Sequence, residues 1–207
     1  MPENHPTPRR YGFYVNAASC IGCKACQIAC KDKNRLPPGV RWRRVVETSG
    51  GGWLRRGAVW LHATATYFLS TACYHCERPI CAEVCPTKAI TQRSDGIVLL
   101  DEARCIGCRY CEWACPYGAP QFDPTRGVMT KCDFCVDAVD RGEPPACVQA
   151  CPMRVLEFGD IEALRAAHGD EVAVYPLPPR GLTLPSGALT PHRDGARVDA
   201  IANREEI

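Results

Sequence analysis

Residues 11–16, YGFYVN, alternate well enough to predict a short β-strand over Tyr11–Asn16. Ala25–Lys33 reads as a short helix, stopped by Leu36-Pro37-Pro38-Gly39. Residues 40–47 and 53–65 are rich in β-branched and aromatic side chains and flank Ser49-Gly50-Gly51-Gly52, which predicts a β-hairpin with those glycines as a long flexible tip. A smaller hairpin is expected from residues 89–91 and 97–100 across Ser94-Asp95-Gly96, with Ile90, Ile97 and Leu99 as sheet core. Residues 155–158 predict a strand, Gly159 a turn, Asp160 the N-cap of a helix Ile161–His168, and Gly169 its stop. From Tyr175 onward Pro176, Pro178, Pro179, Pro185 and Pro191 follow without periodicity, which predicts an extended tail, mobile alone or wrapped on a partner. The longest weakly polar run, residues 58–72, is broken by His62 and threonines and is too short to span a bilayer.

The 207 residues are 46% hydrophobic, enough for one or two folded domains. Twenty-five basic against 23 acidic residues leave a formal charge of +2, without the basic excess of a nucleic-acid binder. Residues 1–10 are polar and proline-rich, and no apolar segment follows, so no secretory signal is expected. The pair Arg9-Arg10 is not read as a twin-arginine signal, because only residues 12–15 intervene before Asn16 and the first cysteines. A chain kept in the cytoplasm uses dense cysteine for metal rather than for disulfides.

Sixteen cysteines fall into four sets of four with none left over. Cys20, Cys23, Cys26 and Cys30 are spaced C-x2-C-x2-C-x3-C; Cys73, Cys76, Cys81 and Cys85 are spaced C-x2-C-x4-C-x3-C-P. Cys105, Cys108, Cys111 and Cys115 read C-x2-C-x2-C-x3-C-P, and Cys132, Cys135, Cys147 and Cys151 read C-x2-C-x11-C-x3-C-P. This is the bacterial ferredoxin pattern, in which three thiolates on a tight loop hold one cubane and the fourth cysteine serves a neighbouring one. Sixteen thiolates, four per cubane, suit four [4Fe–4S] clusters. Structural zinc gives no reason for three cysteines at two-residue gaps followed by a fourth and proline, and a disulfide scaffold belongs to secreted domains. The fourth cysteine is expected to begin a short helix, with proline in its first position. Lys31 replaces that proline in the first set.

The second and third sets lie close and pair as in a two-cluster ferredoxin, and by elimination the first and fourth pair across the chain. The expected ligand groups are Cys73, Cys76, Cys81 with Cys115, and Cys105, Cys108, Cys111 with Cys85. The outer pair is Cys20, Cys23, Cys26 with Cys151, and Cys132, Cys135, Cys147 with Cys30. The fold class expected is α+β: two pseudo-symmetric ferredoxin-like lobes, each with two [4Fe–4S] clusters, plus a hairpin insertion and an extended C-terminal tail. The segments are 11–38, 66–95 and 96–126 for the first three cluster-binding units, 39–65 for the hairpin, 127–160 for the fourth unit and 161–207 for helix and tail. Stripped of clusters, such a chain is expected to be largely unfolded.

The stretches CIGCRYCEWACPYGAPQFD (105–123), GVMTKCDFC (127–135) and QACPMRVLEFGDIEALRAAHG (149–169) resemble the four-cluster iron–sulfur subunit of dimethyl sulfoxide reductase and its relatives. YGFYVNAASCIGCKACQIACKD (11–32) and YHCERPICAEVCPTKAI (74–90) are similar to the same family. The resemblance implies an electron-transfer subunit, without catalysis of its own. It would stand between a molybdopterin-containing catalytic subunit and an integral membrane anchor that oxidises quinol, with the outer cluster pair toward molybdenum and the inner pair toward the membrane. It also implies a peripheral place on the membrane, on the periplasmic side if the subunit is exported with a signal-bearing partner. In the related nitrate reductases a tryptophan replaces a third-set cysteine and gives a three-iron cluster; Cys105, Cys108, Cys111 and Cys115 are intact here, so four [4Fe–4S] centres are expected. A free polyferredoxin shuttling between soluble enzymes is the rival reading, and a zinc-stabilised assembly module a third.

Smaller features carry paired readings. Lys24, Arg109 and Lys131 sit in or beside cluster loops and would raise cluster potentials, or be solvated charges with little effect. His75 is read as structural rather than as a donor to a cluster, and Trp113 as a shield against water. Arg41, Arg43, Arg44, Arg55 and Arg56 make the hairpin basic, either as a solvated face or as a dock for an acidic partner. No catalytic triad, carboxylate pair or phosphate-binding glycine loop is present; Gly50, Gly51 and Gly52 do not follow a βαβ pattern.

Overall fold

The computed structural model describes residues 10–206. The readings of the proline-rich start and of Arg9 lie outside the described residues. In chain order the strands are β1 (Tyr11–Asn16), β2 (Arg44–Gly50), β3 (Trp53–Arg56), β4 (Val59–His62), β5 (Ala65–Thr71), β6 (Ile90–Gln92), β7 (Val98–Leu100), β8 (Gln121–Asp123), β9 (Val128–Thr130), β10 (Leu156–Asp160), β11 (Gly187–Thr190) and β12 (Ala200–Ile201). The helices are α1 (Ala25–Lys33), α2 (Ile80–Glu83), α3 (Tyr110–Ala114), α4 (Val136–Val139), α5 (Ala146–Gln149) and α6 (Ile161–His168). Short strands and helices around small sheets make the chain an α+β, ferredoxin-like protein.

β1 is the middle of a three-stranded sheet, antiparallel to β10 and parallel to β11. Its alternation sorts side chains to two faces: Phe13 and Val15 join the main core with Phe134, Leu156 and Leu189, while Tyr14 packs with Leu164 and Ala188 beneath α6. Gly12 is needed there, since a Cβ would meet the Ser186 carbonyl oxygen at 2.8 Å. Asp160 caps α6 by accepting from the Glu162 and Ala163 amides, and Gly169 ends it at φ 87°. Gly159 is not the expected turn but a strand residue paired with Gly12.

The hairpin differs from expectation. β2 pairs with β5 from Arg44–Thr71 to Gly50–Ala65, so its second strand runs to Thr71, beyond the end expected at 65. Gly51 and Gly52 are not the tip; at φ 78° and 155° they kink the ribbon where β3 and β4 continue outward to a turn at Gly57. The kink requires glycine because a Cβ on Gly51 would meet the Ala63 carbonyl oxygen at 2.2 Å. Every residue of β3 and β4 is exposed.

Two helix pairs make the lobes: α1 packs on α5, and α2 on α3. β6–β7 covers the second lobe as expected, with Ile90 and Val98 buried around Cys81 and Cys111. Leu99 is half-buried against the main core. β8–β9 closes the same cluster of side chains through Met129 and Phe122 and was missed in the sequence. Its signal was the Asp123-Pro124-Thr125-Arg126-Gly127 turn, where Asp123 Oδ1 accepts from the Thr125 and Arg126 amides. The expected division at 126/127 falls inside this hairpin.

The fourth cysteines end helices rather than begin them. α3 stops at Ala114, and Cys115 is extended at φ −80°, ψ 113°, as the residue before proline must be. Cys85 and Cys151 likewise follow α2 and α5. Where Lys31 stands in place of proline, α1 runs on through Cys30 to Lys33.

The tail is ordered on its own chain, not a loose strap. β11 lies beside β1, β12 beside β2, and Thr183, Ser186, Ala188, Leu189, Asn203 and Glu206 are buried. It shows no period because each short piece takes its hydrogen bonds from a different element: Leu184 accepts from Glu77 N, Ser186 donates to the Tyr74 carbonyl, and Ala202 to that of Glu47. Among the described residues no helix is long and apolar enough to cross a membrane.

Candidate metal centres

The first and third cysteine loops have one backbone design. Gly22 and Gly107 sit at φ 70° and 68°, and Lys24 and Arg109 at φ 58° and 65°, each heading its helix without a side-chain cap. Left-handed residues at those points turn the chain around a centre and leave its amides facing inward, as an anion nest does. Glycine is fixed by crowding too: a Cβ on Gly107 would stand 2.4 Å from the Gly127 carbonyl oxygen. The fourth loop reaches the same turn with Phe134 and Cys135 at φ 65° and 51°, and the second with His75 at φ 44°.

All sixteen cysteines are free thiols. Cys73, Cys76, Cys81 and Cys115 line one cavity, and Cys20, Cys23, Cys26 and Cys151 another. Cys85 stands by Cys105 and Cys108 around Cys111, whose thiol is pushed up to about 12 by burial and then by those neighbours. Cys30, also raised to about 12 by burial first, feels Cys147 and Cys135, while Cys132, raised well above its ordinary value, feels Cys30. The sixteen thiols thus stand in four neighbourhoods. Backbone amides already point at sulfur: Gly107 and Met129 donate to Cys105 Sγ at 3.5 and 3.3 Å, Phe134 to Cys132 Sγ at 3.4 Å, and Ala89 to Cys85 Sγ at 3.3 Å. Burial would raise Cys85, yet the Thr87 hydroxyl and the amides of Ile90, Ala89 and Thr87 outweigh it and lower its pKa.

This donor set fits iron–sulfur cubanes. A single zinc needs thiolates converging at about 2.3 Å on one point. Among the described residues no three Cys, His, Asp or Glu close on such a point; eight of the thiols stand around two cavities instead. Two family models, each described as a 4Fe-4S dicluster domain, match residues 19–89 and 64–161. Over 202 residues the chain is 47% identical to the B subunit of the anaerobic dimethyl sulfoxide reductase of Escherichia coli (strain K12), an alignment covering 96% of this chain and 98% of that one. The protein belongs to the dimethyl sulfoxide reductase B-subunit family. It is also 44% identical over 185 residues to the corresponding B subunit of Haemophilus influenzae, covering 89% and 90% of the two chains. To the B subunit of polysulfide reductase from Wolinella succinogenes it is 37% identical over 191 residues, covering 90% and 97%. As a member of this B-subunit family it is an electron-transfer subunit with four [4Fe–4S] clusters and performs no catalysis alone.

Of the three cations the sequence singled out, one, Lys131, stands among the thiols, acting on Cys81 and Cys132. Lys24 is bonded to Glu206 at 2.8 Å, and Arg109 is held by both oxygens of Glu112 at 2.7 and 3.1 Å. Lys131 is the buried one of the three, its Nζ donating to the carbonyls of Val98 and Cys132. Arg43, read as hairpin surface, is fully buried; burial would lower its pKa, but the thiolates of Cys147, Cys26, Cys132 and Cys30 outweigh this and raise it. Arg44 is buried as well and donates to the Tyr117 carbonyl at 2.6 Å, so only Arg55 and Arg56 make the exposed basic tip. Alternation gives no signal for this, since Arg43 precedes β2, which starts at Arg44, and both side chains are buried. Trp113 is 74% exposed, with its ring beside that of Tyr110. His75 is fully buried and, through burial first and Lys131 second, held well below the usual histidine range, hence neutral.

Proposed function

We propose that this chain is the electron-transfer subunit of a membrane-associated respiratory complex of the dimethyl sulfoxide reductase type. It relays single electrons between a quinol-oxidising membrane anchor and a molybdopterin catalytic subunit. The proposed ligand groups are Cys20, Cys23, Cys26 with Cys151; Cys132, Cys135, Cys147 with Cys30; Cys73, Cys76, Cys81 with Cys115; and Cys105, Cys108, Cys111 with Cys85. The six segments set out from the sequence divide the chain among them, with the hairpin extended to Thr71 and the fourth unit starting after β9 rather than inside the β8–β9 hairpin.

The observation that carries this reading is the succession of thiols. Cys26 of the first group senses Cys147 of the second, Cys132 of the second packs with Cys73 of the third, and Cys81 of the third shares a core with Cys111 of the fourth. Four groups, each neighbouring the next, suit a wire with two ends. Each end needs a partner, and apolar side chains stand exposed there: Ile21 and Met153 beside the first group, Ile106, Tyr110 and Trp113 beside the last. A periplasmic position would follow from export with a signal-bearing partner, and the terminal acceptor is chosen by the catalytic subunit.

The test is anaerobic purification from detergent-solubilised membranes through a tag on this chain. Copurification of a molybdopterin subunit and a membrane anchor, with about sixteen iron atoms on this chain, is the expected result. A fully loaded chain that elutes alone would overturn the reading in favour of a free polyferredoxin.

A further inference from the structure

His75 lies between Cys73 and Cys76 and is among the residues lining the cavity that these thiols share with Cys81 and Cys115. It is wholly buried, and three contacts fix it. Val98 N–H meets Nδ1 at 3.0 Å, the Ser186 hydroxyl donates to the His75 carbonyl at 2.9 Å, and the ring stands edge-on to Phe134 with centroids 5.1 Å apart. An amide can only donate, so Nδ1 is the acceptor and the ring proton is on Nε2. That Nε2 is buried and has no hydrogen-bond partner among the protein atoms. Lys131, which also lines the cavity, is a donor and offers Nε2–H nothing. A buried, oriented N–H without an acceptor is rare in folded proteins and calls for one in whatever fills the space. The group that fits this cavity is rich in sulfur acceptors.

We propose that His75 Nε2–H donates a hydrogen bond to sulfur of the cluster held by Cys73, Cys76, Cys81 and Cys115 and thereby raises its reduction potential. The added electron makes that sulfur a better acceptor, so the bond strengthens on reduction and favours the reduced form. Val98, by fixing the tautomer, is what makes histidine a donor here rather than an acceptor. The inference rests on the ligand group assigned above.

The experiment uses the whole complex, with EPR-monitored redox titration of wild type, His75→Phe and His75→Gln. Cys76→Ser serves as the marker of which signal belongs to this cluster. His75→Phe keeps the aromatic contact with Phe134 and removes the donor; the marked signal is expected to titrate lower by about tenfold in the reduction equilibrium, or about 59 mV for one electron. His75→Gln restores a donor and is expected to recover part of the shift. Pulsed EPR of the wild type labelled with ¹⁵N-histidine is expected to show a histidine nitrogen coupled to the marked cluster, which decides the matter even where His75→Phe fails to assemble. An unchanged potential in His75→Phe, or no nitrogen coupling in the wild type, overturns the donor. A Cys76→Ser variant with every cluster signal intact overturns the ligand group instead, and the proposal with it.

Discussion

The guanidinium of Arg43 lies 4.8 Å from the centroid of the Phe13 ring, and its Nη1 donates to Ser70 Oγ at 3.0 Å. Ser70 Oγ is in turn 3.4 Å from Cys26 Sγ, so a buried cation is anchored between the two thiol groups of the outer lobe. A cation there lowers the energy of added negative charge on either side. Arg43→Gln is expected to lower the potential of one or both outer clusters by about 59 mV, a tenfold shift, with the inner pair unmoved. Arg43→Lys should keep most of the potential but lose the guanidinium's contact with the Phe13 ring, and with it some thermal stability. Redox titration followed by EPR, with a melting curve, separates the two effects.

Lys31 allows α1 to continue past Cys30, and its Nζ bonds the carbonyls of Pro37 and Val40 at 2.6 and 3.2 Å. Making the first set conform to the other three would therefore harm it. Lys31→Pro puts a ring inside a helix and removes both tethers, a cost of about 3 kcal/mol or more. The expected result is a lower melting temperature and loss of the cluster nearest Cys30, read from iron content and EPR.

Gly107 and Gly127 face each other and share a positive φ, yet they differ in space. A Cβ on Gly107 meets the Gly127 carbonyl oxygen at 2.4 Å, whereas one on Gly127 meets nothing within 4 Å. Gly127→Ala should cost only left-handed strain, roughly 1–2 kcal/mol, and retain four clusters. Gly107→Ala should displace the loop of Cys105, Cys108 and Cys111 and give chains short of one cluster.

Some of this architecture could be read from local sequence and some could not. Tyr11–Asn16, Ala25–Lys33 and Ile161–His168 carry their own start, stop and period, and they form with those bounds. The four cysteine loops could be read from spacing, because a ferredoxin loop is a local object, whereas the exchange of fourth cysteines between distant loops belongs to the proposal above. β11 and β12 were invisible for the opposite reason: their hydrogen-bond partners, β1 and β2, lie at the other end of the chain, and nothing local marks a parallel strand of four residues. Arg43 and Arg44 were misread because charge was taken as surface, whereas their partners, Ser70 and the Tyr117 carbonyl, come from distant parts of the chain.

The tail's end is held by charge. Glu206 is buried beside Lys24, Gln27 and Arg41; burial would raise its pKa, but those partners outweigh it and lower it. A carboxylate whose folded pKa lies below its unfolded value stabilises the fold above that unfolded value, and the contribution is lost as pH falls through the folded one. Docking of residues 200–206 is thus expected to be complete near neutrality and to weaken below about pH 4.5, the ordinary glutamate value. Hydrogen exchange of β12 against pH measures it. Glu206→Gln should show faster exchange already at pH 7 and little further change with acid.

Removing the clusters tests how the core is made. Cys26, Cys147 and Cys151 belong to the main hydrophobic core, Cys81 and Cys111 to the second, and Cys73 with Cys132 to the contact between lobes. The cores therefore close around the ligands, and without clusters they lose their centres. Cluster-free protein, prepared with chelator under anaerobic reduction, is expected to lose most of its circular dichroism and to be digested within minutes where the loaded chain persists. Any residual fold should respond to alkali in a defined sense. Cys30, Cys76 and Cys111, raised to about 12 from an ordinary 9.0 by burial first, favour the compact form while protonated. That contribution is present below pH 9 and disappears as pH rises toward 12, because the unfolded chain gives up its thiol protons first. A cluster-free chain that stays protease-resistant across this range would show that packing alone holds the lobes.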